Sequence, residues 1–470
     1  MTTTSALVAL DPTDSRPLVD QIVAGVSRLV DGRALRAGMR LPSIRRFAEG
    51  HRVSTFTVVE SFDKLVAMGY LVSRRGSGFY VADRSAAKPA PVDSLHRLDR
   101  AMDVLWLMRN ALQADEGIIK AGSGWLPHSW LDEPGIKKGL RSLSRKSGSG
   151  LTSYGDPKGY PLLRQQIQVR LGELGIAADP GQIVLTHGAS HALDLTARYL
   201  LKPGDTVLVN DPGYFSFFGY LRAMSATLVG VPQTAEGPDP AALEELVKQH
   251  RPKVFYTSGV LHNPTGTSVS PAVAHRILQV AEKYDLTIVE DDVYGDFHPG
   301  GATRLATLDQ LNRVIYVGGY SKTISCALRV GFIAASPQAA EDLLDMKLLM
   351  GVTTSQIGER LIHEILADGH YRKHMDQVRG KLQTARAHTT ENLEKLGLTP
   401  YGEPQGGMFL WAKLPEGGNA ETLASIAAKE GITLAPGSLF RPHQEPSDWL
   451  RFNVAHSQEK ALYDFLGRQL

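Results

Sequence analysis

The sequence predicts a multidomain chain: a small N-terminal winged helix-turn-helix joined to a large α/β body built on a mostly parallel sheet. Three observations predict it. From Leu18 to Val66 apolar residues repeat at helical spacing, and two short β-like runs around a basic, glycine-rich tip follow. Asp83–Pro91, reading DRSAAKPAP, has too few large apolar groups to build a core and reads as a linker. From about Leu95 onward, helical stretches precede short apolar runs such as Val207–Val209, Val254–Tyr256, Leu286–Val289 and Val314–Val317. That alternation is the signature of a mostly parallel sheet with helices on both faces. The expected division is 14–83 for the head, 84–95 for the linker and 96–470 for the body.

The 470 residues exceed one small module, since a domain takes roughly 100–200. Apolar residues make up 43% and charged residues 21%, the balance of a soluble globular protein. The single cysteine, Cys326, excludes an internal disulfide and a cysteine-based zinc site. No basic n-region precedes an apolar stretch near the start, and no apolar run is long enough to span a membrane. A cytoplasmic protein without a membrane partner is expected. The net charge of +2 divides unevenly. Residues 1–85 hold 12 Lys+Arg against 8 Asp+Glu; the remainder holds 39 against 41. A basic head on a slightly acidic body hints at nucleic-acid contact by the head alone.

In the head, Leu18, Ile22, Val26, Leu29 and Val30 predict a first amphipathic helix that stops near Gly32. Gly38 and Pro42 mark the turn before Ser43, an N-cap for a second helix over Ile44–Glu49. Ser54 caps a third helix whose apolar side is Val58, Val59, Phe62, Leu65 and Val66, and Gly69 ends it. Tyr70–Ser73 and Phe79–Ala82 are joined by Arg74-Arg75-Gly76-Ser77-Gly78, a hairpin with a basic tip. In a winged helix-turn-helix the third helix enters the major groove by its N-terminal end. Ser54, Thr55, Phe56 and Thr57 stand at that end. Arg45 and Arg46 on the second helix, with Arg74, Arg75 and Gly76 on the wing, suit phosphates or the minor groove. The expected partner is a double-stranded DNA operator. The same helices also suit a plain interaction or dimerisation domain.

In the body, the run Val314–Val317 leads into Gly318-Gly319-Tyr320-Ser321-Lys322. A lysine just past a buried strand is desolvated, which favours the neutral amine that condenses with an aldehyde. Leu286–Val289 ends in Glu290-Asp291-Asp292-Val293-Tyr294, at the strand end where ligands bind in such sheets. Asp291 suits a pyridinium nitrogen; Tyr294, and Asn263 in His262-Asn263-Pro264-Thr265-Gly266, suit a ring phenolic oxygen. Thr186-His187-Gly188-Ala189-Ser190-His191 opens a helix whose free N–H groups make a phosphate site, to which Ser190 and Arg329 add bonds. His187 and His191 have metal-like spacing but no further ligand nearby, and no metal is expected. Tyr214, after strand Val207–Val209, suits stacking on a ring. Arg451, in an apolar stretch, needs an anion, for which a carboxylate is the natural partner. Each segment alone has a plainer reading: a surface lysine, a helix cap, a turn, a core tyrosine, an internal salt bridge.

Residues 17–81 resemble the DNA-binding head of the GntR family. Gly38-Met39-Arg40-Leu41-Pro42-Ser43-Ile44-Arg45 is similar to its PG-x-x-LPS-x-R signature, with Ala37 in place of the proline. Val53-Ser54-Thr55-Phe56-Thr57-Val58 is similar to its V-S-R-x-T-V segment, and Arg75-Gly76-Ser77-Gly78 to its R-x-GSG wing. Thr55 stands where many members carry a base-reading arginine, which implies a different operator sequence.

Over about residues 95–470 the separated body segments, in this order, resemble the fold-type I aminotransferases. The resemblance implies pyridoxal 5'-phosphate, held by Lys322 as a Schiff base. It implies Asp291 at the ring nitrogen, Tyr294 and Asn263 at the phenolic oxygen and Tyr214 on the ring. Ala189, Ser190, Ser321 and Arg329 would hold the phosphate, and Arg451 a substrate carboxylate. Tyr154 resembles the tyrosine that reaches the phosphate of the neighbouring subunit, so a homodimer is implied. Gly319 replaces a serine found in several relatives, which implies one phosphate bond fewer. The segments 405–411 and 435–440 match the family's small domain. The body then divides into a large subdomain, about 150–355, and a small α+β subdomain, about 356–470 plus the arm 96–149.

The whole order of parts resembles the MocR subfamily of bacterial transcription regulators. The expected function is a cofactor-dependent, DNA-binding regulator that senses an amino acid or amine. The alternative is an active aminotransferase with an incidental head, because the machinery for amino transfer is present. A regulator that senses the cofactor itself is a third reading.

Overall fold

The computed structural model of the protein describes residues 7–11, 14, 16–32, 34–74, 77–82, 117–145 and 152–470. The chain divides into two units, Met1–Ser94 and Leu95–Leu470.

In the first unit, α1 (Leu18–Asp31) buries Ile22 and Val26. In α2 (Ile44–His51) the cap is Ser43, whose Oγ accepts from the Arg46 N–H. In α3 (Thr55–Ala67) it is Ser54, whose Oγ accepts from the Thr57 N–H at 3.0 Å. These oxygens satisfy donors that a helix start leaves free. The helices close on Ile22, Val26, Phe47, Val58, Phe62 and Leu65, with Leu71 and Val81 from the hairpin. Strands β1 (Leu71–Arg74) and β2 (Gly78–Val81) pair antiparallel, Leu71 opposite Val81.

Three details depart from the sequence reading. The second helix runs two residues further, to His51, whose ring stacks on Phe47. The first hairpin strand starts one residue later, at Leu71, because the Tyr70 N–H is already spent on the Leu65 carbonyl, and the second starts one residue earlier, at Gly78, which pairs with Arg74. Val59 is 37% exposed, outside the core. A 3.6-residue period carries the buried stripe from Val58 to Ser61, Phe62 and Leu65 instead. Ser61 enters it by donating its hydroxyl to the Thr57 carbonyl at 2.7 Å.

The second unit carries an eight-stranded sheet made of β3 (Ile183–Thr186), β4 (Thr206–Asp211), β5 (Thr227–Thr234), β6 (Gly237–Pro238), β7 (Val254–Thr257), β8 (Thr287–Asp291), β9 (Val314–Gly319) and β10 (Gly331–Ala334). The order is β3-β10-β9-β8-β7-β4-β5-β6. Neighbours from β9 to β5 run parallel; β10 and β6 run antiparallel to theirs. The central strands are buried along nearly their whole length, as a sheet covered on both faces requires. A second, antiparallel sheet of β11 (Thr399–Pro400), β12 (Phe409–Lys413), β13 (Ala435–Pro436) and β14 (Trp449–Asn453) forms the small C-terminal part, in the order β11-β12-β14-β13. Ile119 bridges to Ile432, which ties the segment before residue 145 to that part.

One buried polar network fixes the loop that enters helix Pro161–Glu173. Lys347 and Glu359 are 1% and 2% exposed. Lys347 Nζ donates to the Pro157 carbonyl at 2.7 Å and to Thr354 Oγ1 at 3.2 Å. Thr354 donates on to Glu359, whose other oxygen accepts from the Tyr160 N–H at 2.8 Å.

Candidate functional site

Parallel strands deliver their carboxyl ends to one edge, and ligands bind at that edge in such sheets. Thr257 ends β7, Asp291 ends β8 and Gly319 ends β9. A cavity of about 660 Å³ opens there. Ala189, Ser190, Tyr214, Asn263 and Asp291 line it, with Tyr294, Ser321, Lys322 and Arg329. The fold thus brings together nine of the predicted cofactor residues from six separated segments.

Three consecutive acids end β8, and strand alternation separates them. Glu290 is fully buried and accepts the Leu305 and Ala306 N–H groups at 2.9 and 2.8 Å. Asp292 accepts from Arg304 Nε and the Tyr316 hydroxyl, both at 2.6 Å. Asp291 alone faces the cavity, with the Val293 N–H on Oδ1 at 3.3 Å. Burial pushes its carboxyl up to about 7, against that hydrogen bond. The Lys322 amine donates to the Gly124 carbonyl at 2.9 Å and lies 5.8 Å from the Tyr294 ring centroid. Burial, reinforced by the charge of Arg451, lowers it to about 8, against the pull of Asp291. A base and an acid therefore sit in one cavity with their ordinary titration ranges drawn together. Burial also raises the Tyr214 and Tyr294 phenols, keeping them as donors.

At the other end, helix Gly188–Leu200 begins with free N–H groups at Ala189 and Ser190. Gly188 has φ +74°, and a Cβ there would stand 2.7 Å from Arg329 Nη2. Only glycine lets that guanidinium lie against the helix start. Arg329 also donates to Ser321 Oγ at 3.1 Å. His187 and His191 lie here as partners of each other: the His187 N–H donates to His191 Nδ1 at 3.1 Å. Between the two ends stand Leu193, Val209, Phe217, Phe218 and Val289, and Thr257 Oγ1 is buried with no partner among the described residues. Amine, acid, apolar walls and a cationic, N–H-rich end fit a phosphorylated pyridine aldehyde.

Arg451 is buried beside this cavity. Nη1 donates to Asn263 Oδ1 at 2.7 Å and Nη2 to the Gly122 carbonyl at 2.6 Å. Its guanidinium lies 4.5 Å from the Phe409 ring centroid and 4.8 Å from that of Phe440. Burial lowers it to about 10, and Nε has no partner among the described residues. No carboxylate pairs with it among the described residues. The internal salt bridge is therefore absent there, and the neutral oxygens around it leave its charge uncompensated.

The sequence reading missed the arm segment. Lys120, Trp125 and His128 line the cavity, and the Gly122 and Gly124 carbonyls hold Arg451 and Lys322. A Cβ on Gly122 would stand 2.6 Å from Ala435 N, so glycine lets the arm lie against the small sheet. The run Ala121-Gly122-Ser123-Gly124-Trp125 was the available signal, a glycine-rich turn beside an aromatic residue. Tyr154 is not among the lining residues; it stands 82% exposed.

In the head, Arg45, Arg46, Ser54, Thr55 and Phe56 are exposed, and Thr57 is half-buried. Arg74 is exposed, its guanidinium 4.6 Å from the Tyr80 ring centroid. Arg75 and Gly76 lie outside the described residues.

Comparison with known proteins agrees with this geometry. Residues 119–467 match the family aminotransferase class I and II. Residues 18–81 match bacterial regulatory proteins of the gntR family. The 2-aminoadipate transaminase of Thermus thermophilus is 32% identical over 362 residues, covering 75% of this chain and 89% of that one. YdfD of Bacillus subtilis, named an uncharacterized HTH-type transcriptional regulator, is 27% identical over 95% of both chains. The kynurenine aminotransferase of Pyrococcus horikoshii, crystallised with PMP, superposes with a TM-score of 0.72 at 27% identity, covering 81% of this chain and 98% of that one. The chain belongs to the aminotransferase class I and II family and carries a gntR-family head before it, which is the MocR architecture.

Proposed function

We propose that this protein is a DNA-binding transcription regulator whose aminotransferase body binds pyridoxal 5'-phosphate and senses an amino acid or amine. One observation carries the reading: a gntR-type head and an aminotransferase body share one chain, and a relative named as a regulator matches it over 95% of both lengths. The head (14–83), linker (84–95) and body (96–470) are its working parts, and we take it to act in the cytoplasm. Head residues Arg45, Arg46, Ser54, Thr55, Phe56, Thr57, Arg74, Arg75 and Gly76 would meet an operator.

In the body, Lys322 would hold the cofactor covalently through its amine. Asp291 would bind the ring nitrogen, Asn263 and Tyr294 the phenolic oxygen, and Tyr214 the ring face. Ala189, Ser190, Ser321 and Arg329 would hold the phosphate. Tyr154, exposed on one protomer, would reach the partner's phosphate in a homodimer. When bound, the cofactor supplies an electron sink for bonds at an amino carbon. Arg451 would take the ligand's carboxylate, its buried and uncompensated charge being the driving force. Ligand binding would favour one arrangement of the dimer and so alter operator affinity; that requires unequal affinity for the two states.

A second reading, an active transaminase, is favoured by the presence of both Lys322, as a proton carrier, and Arg451 in one site. Titrating operator DNA with the full chain, cofactor and a panel of amino acids separates the two, with visible absorption recorded alongside. One amino acid should shift both the absorption band and the operator affinity. Lys322→Ala should fold, fail to retain cofactor after borohydride, and not respond. Affinity that stays constant across saturating amines and cofactor sinks the sensing reading. Repeated amino transfer to a keto acid without operator binding favours the enzyme.

A further inference from the structure

The outer face of α3 is unusual for a helix that meets DNA. Its only cation is Lys64, whose Nζ donates to Asp20 Oδ1 at 3.3 Å and lies 3.8 Å from Glu60 Oε1. No arginine or free lysine is present on it to bond the O6 and N7 acceptors of guanine. What the first turns present instead is apolar. Phe56 is 75% exposed and Val59 is 37% exposed. Three residues apart, they share one face. Neither belongs to the buried core of the head, so packing does not account for a bare phenyl ring. Thr55, exposed beside them, adds a methyl and a hydroxyl.

Charge fixes which end of the helix can approach DNA. Beyond Val59 the same face carries Glu60 and Asp63, both exposed, which phosphates repel. Exposed cations lie elsewhere in the head: Arg40, Arg45, Arg46, Arg52 and Arg74. A major groove entered by the first turns of α3, with these arginines on the backbone, satisfies both signs. Within that groove the only apolar group on a base edge is the thymine 5-methyl.

We propose that Phe56 and Val59 read thymine methyl groups, so that the operator is selected by apolar contact where an arginine would select guanine. The inference rests on the DNA-binding reading of the head. The test is to select sites for the full chain from random duplexes, then replace each thymine of the winning site by uracil, which differs only by the methyl. At one or more positions the wild-type protein should lose about fourfold in affinity per methyl, the factor for one buried carbon group. Phe56→Ala should bind the thymine and uracil duplexes equally at one or more of these positions, and Phe56→Ala combined with Val59→Ala at all of them, both keeping the salt dependence of the wild type. Equal wild-type affinity for both duplexes at every position overturns the inference and leaves DNA binding intact. That arm needs no variant to fold. Failure to select any duplex overturns the DNA-binding reading and this inference with it.

Discussion

At the scale of single residues, Lys322 is governed by its surroundings. An ordinary lysine amine is charged up to 10.5, whereas burial and Arg451 lower this one to about 8. The sign follows directly. Only the neutral amine attacks an aldehyde, and it becomes the major form above about pH 8. Cofactor-free protein mixed with pyridoxal phosphate should therefore capture it faster as pH rises, levelling off just above 8. Stopped-flow absorbance across pH measures this; a rate that keeps climbing to pH 10 contradicts it. Asp291 moves the other way, up to about 7, so cofactor-free protein near neutrality holds a mixed population at this carboxyl. A pyridinium partner would draw it back to the charged form.

At the scale of elements, helix ends and buried links hold the site in place. The cavity's donor groups at Ala189, Ser190, Ser321 and Arg329 come from one helix start and the segment between β9 and β10, which meet because Gly188 leaves room for Arg329. Farther out, the Lys347–Thr354–Glu359 chain joins helices Pro337–Gly351 and Gln356–Ala367 to the loop before helix Pro161–Glu173. Burial lowers the lysine to about 8 and raises the carboxyl, and the charge of each opposes the shift of the other. Lys347→Met should cost about 3 kcal/mol, because it strands Glu359 and the Pro157 carbonyl in the interior. Urea unfolding measures it. Adding Glu359→Gln to that variant should recover part of the loss; a strictly additive double variant contradicts the coupling.

At the scale of the whole molecule, the charge division along the chain becomes a statement about salt. Residues 1–85 hold 12 basic against 8 acidic residues, and the exposed arginines of the head would displace counterions from DNA. Replacing Arg74 and Arg75 together by alanine should weaken binding at all sequences alike. The slope of log affinity against log salt should fall by about 0.9 for each phosphate contact removed. Fluorescence anisotropy at several salt concentrations reads both numbers. An unchanged affinity and slope take the wing out of the interface. The contrast with Phe56 is useful: wing arginines should alter affinity and salt slope without altering base preference, whereas Phe56 should alter base preference and leave the salt slope unchanged.

The sequence by itself determined what is local. Helix caps at Ser43 and Ser54, the apolar stripes, the strand runs and the lysine after a buried strand all follow from spacing along the chain, because backbone period and capping act within a few residues. The family resemblances rested on the same local runs. Tertiary structure decided what joins distant residues. Lys322 meets Gly124 across 198 positions, and Arg451 meets Gly122 across 329. No local pattern encodes such meetings, so the arm's place in the site was not legible in advance. The fold also decided that Arg451 lies among neutral oxygens and aromatic rings, that Glu290 and Asp292 turn away while Asp291 faces the cavity, and that Val59 stays outside the core. The reason is one of geometry: periodicity says which residues share a face, and only packing says what that face meets.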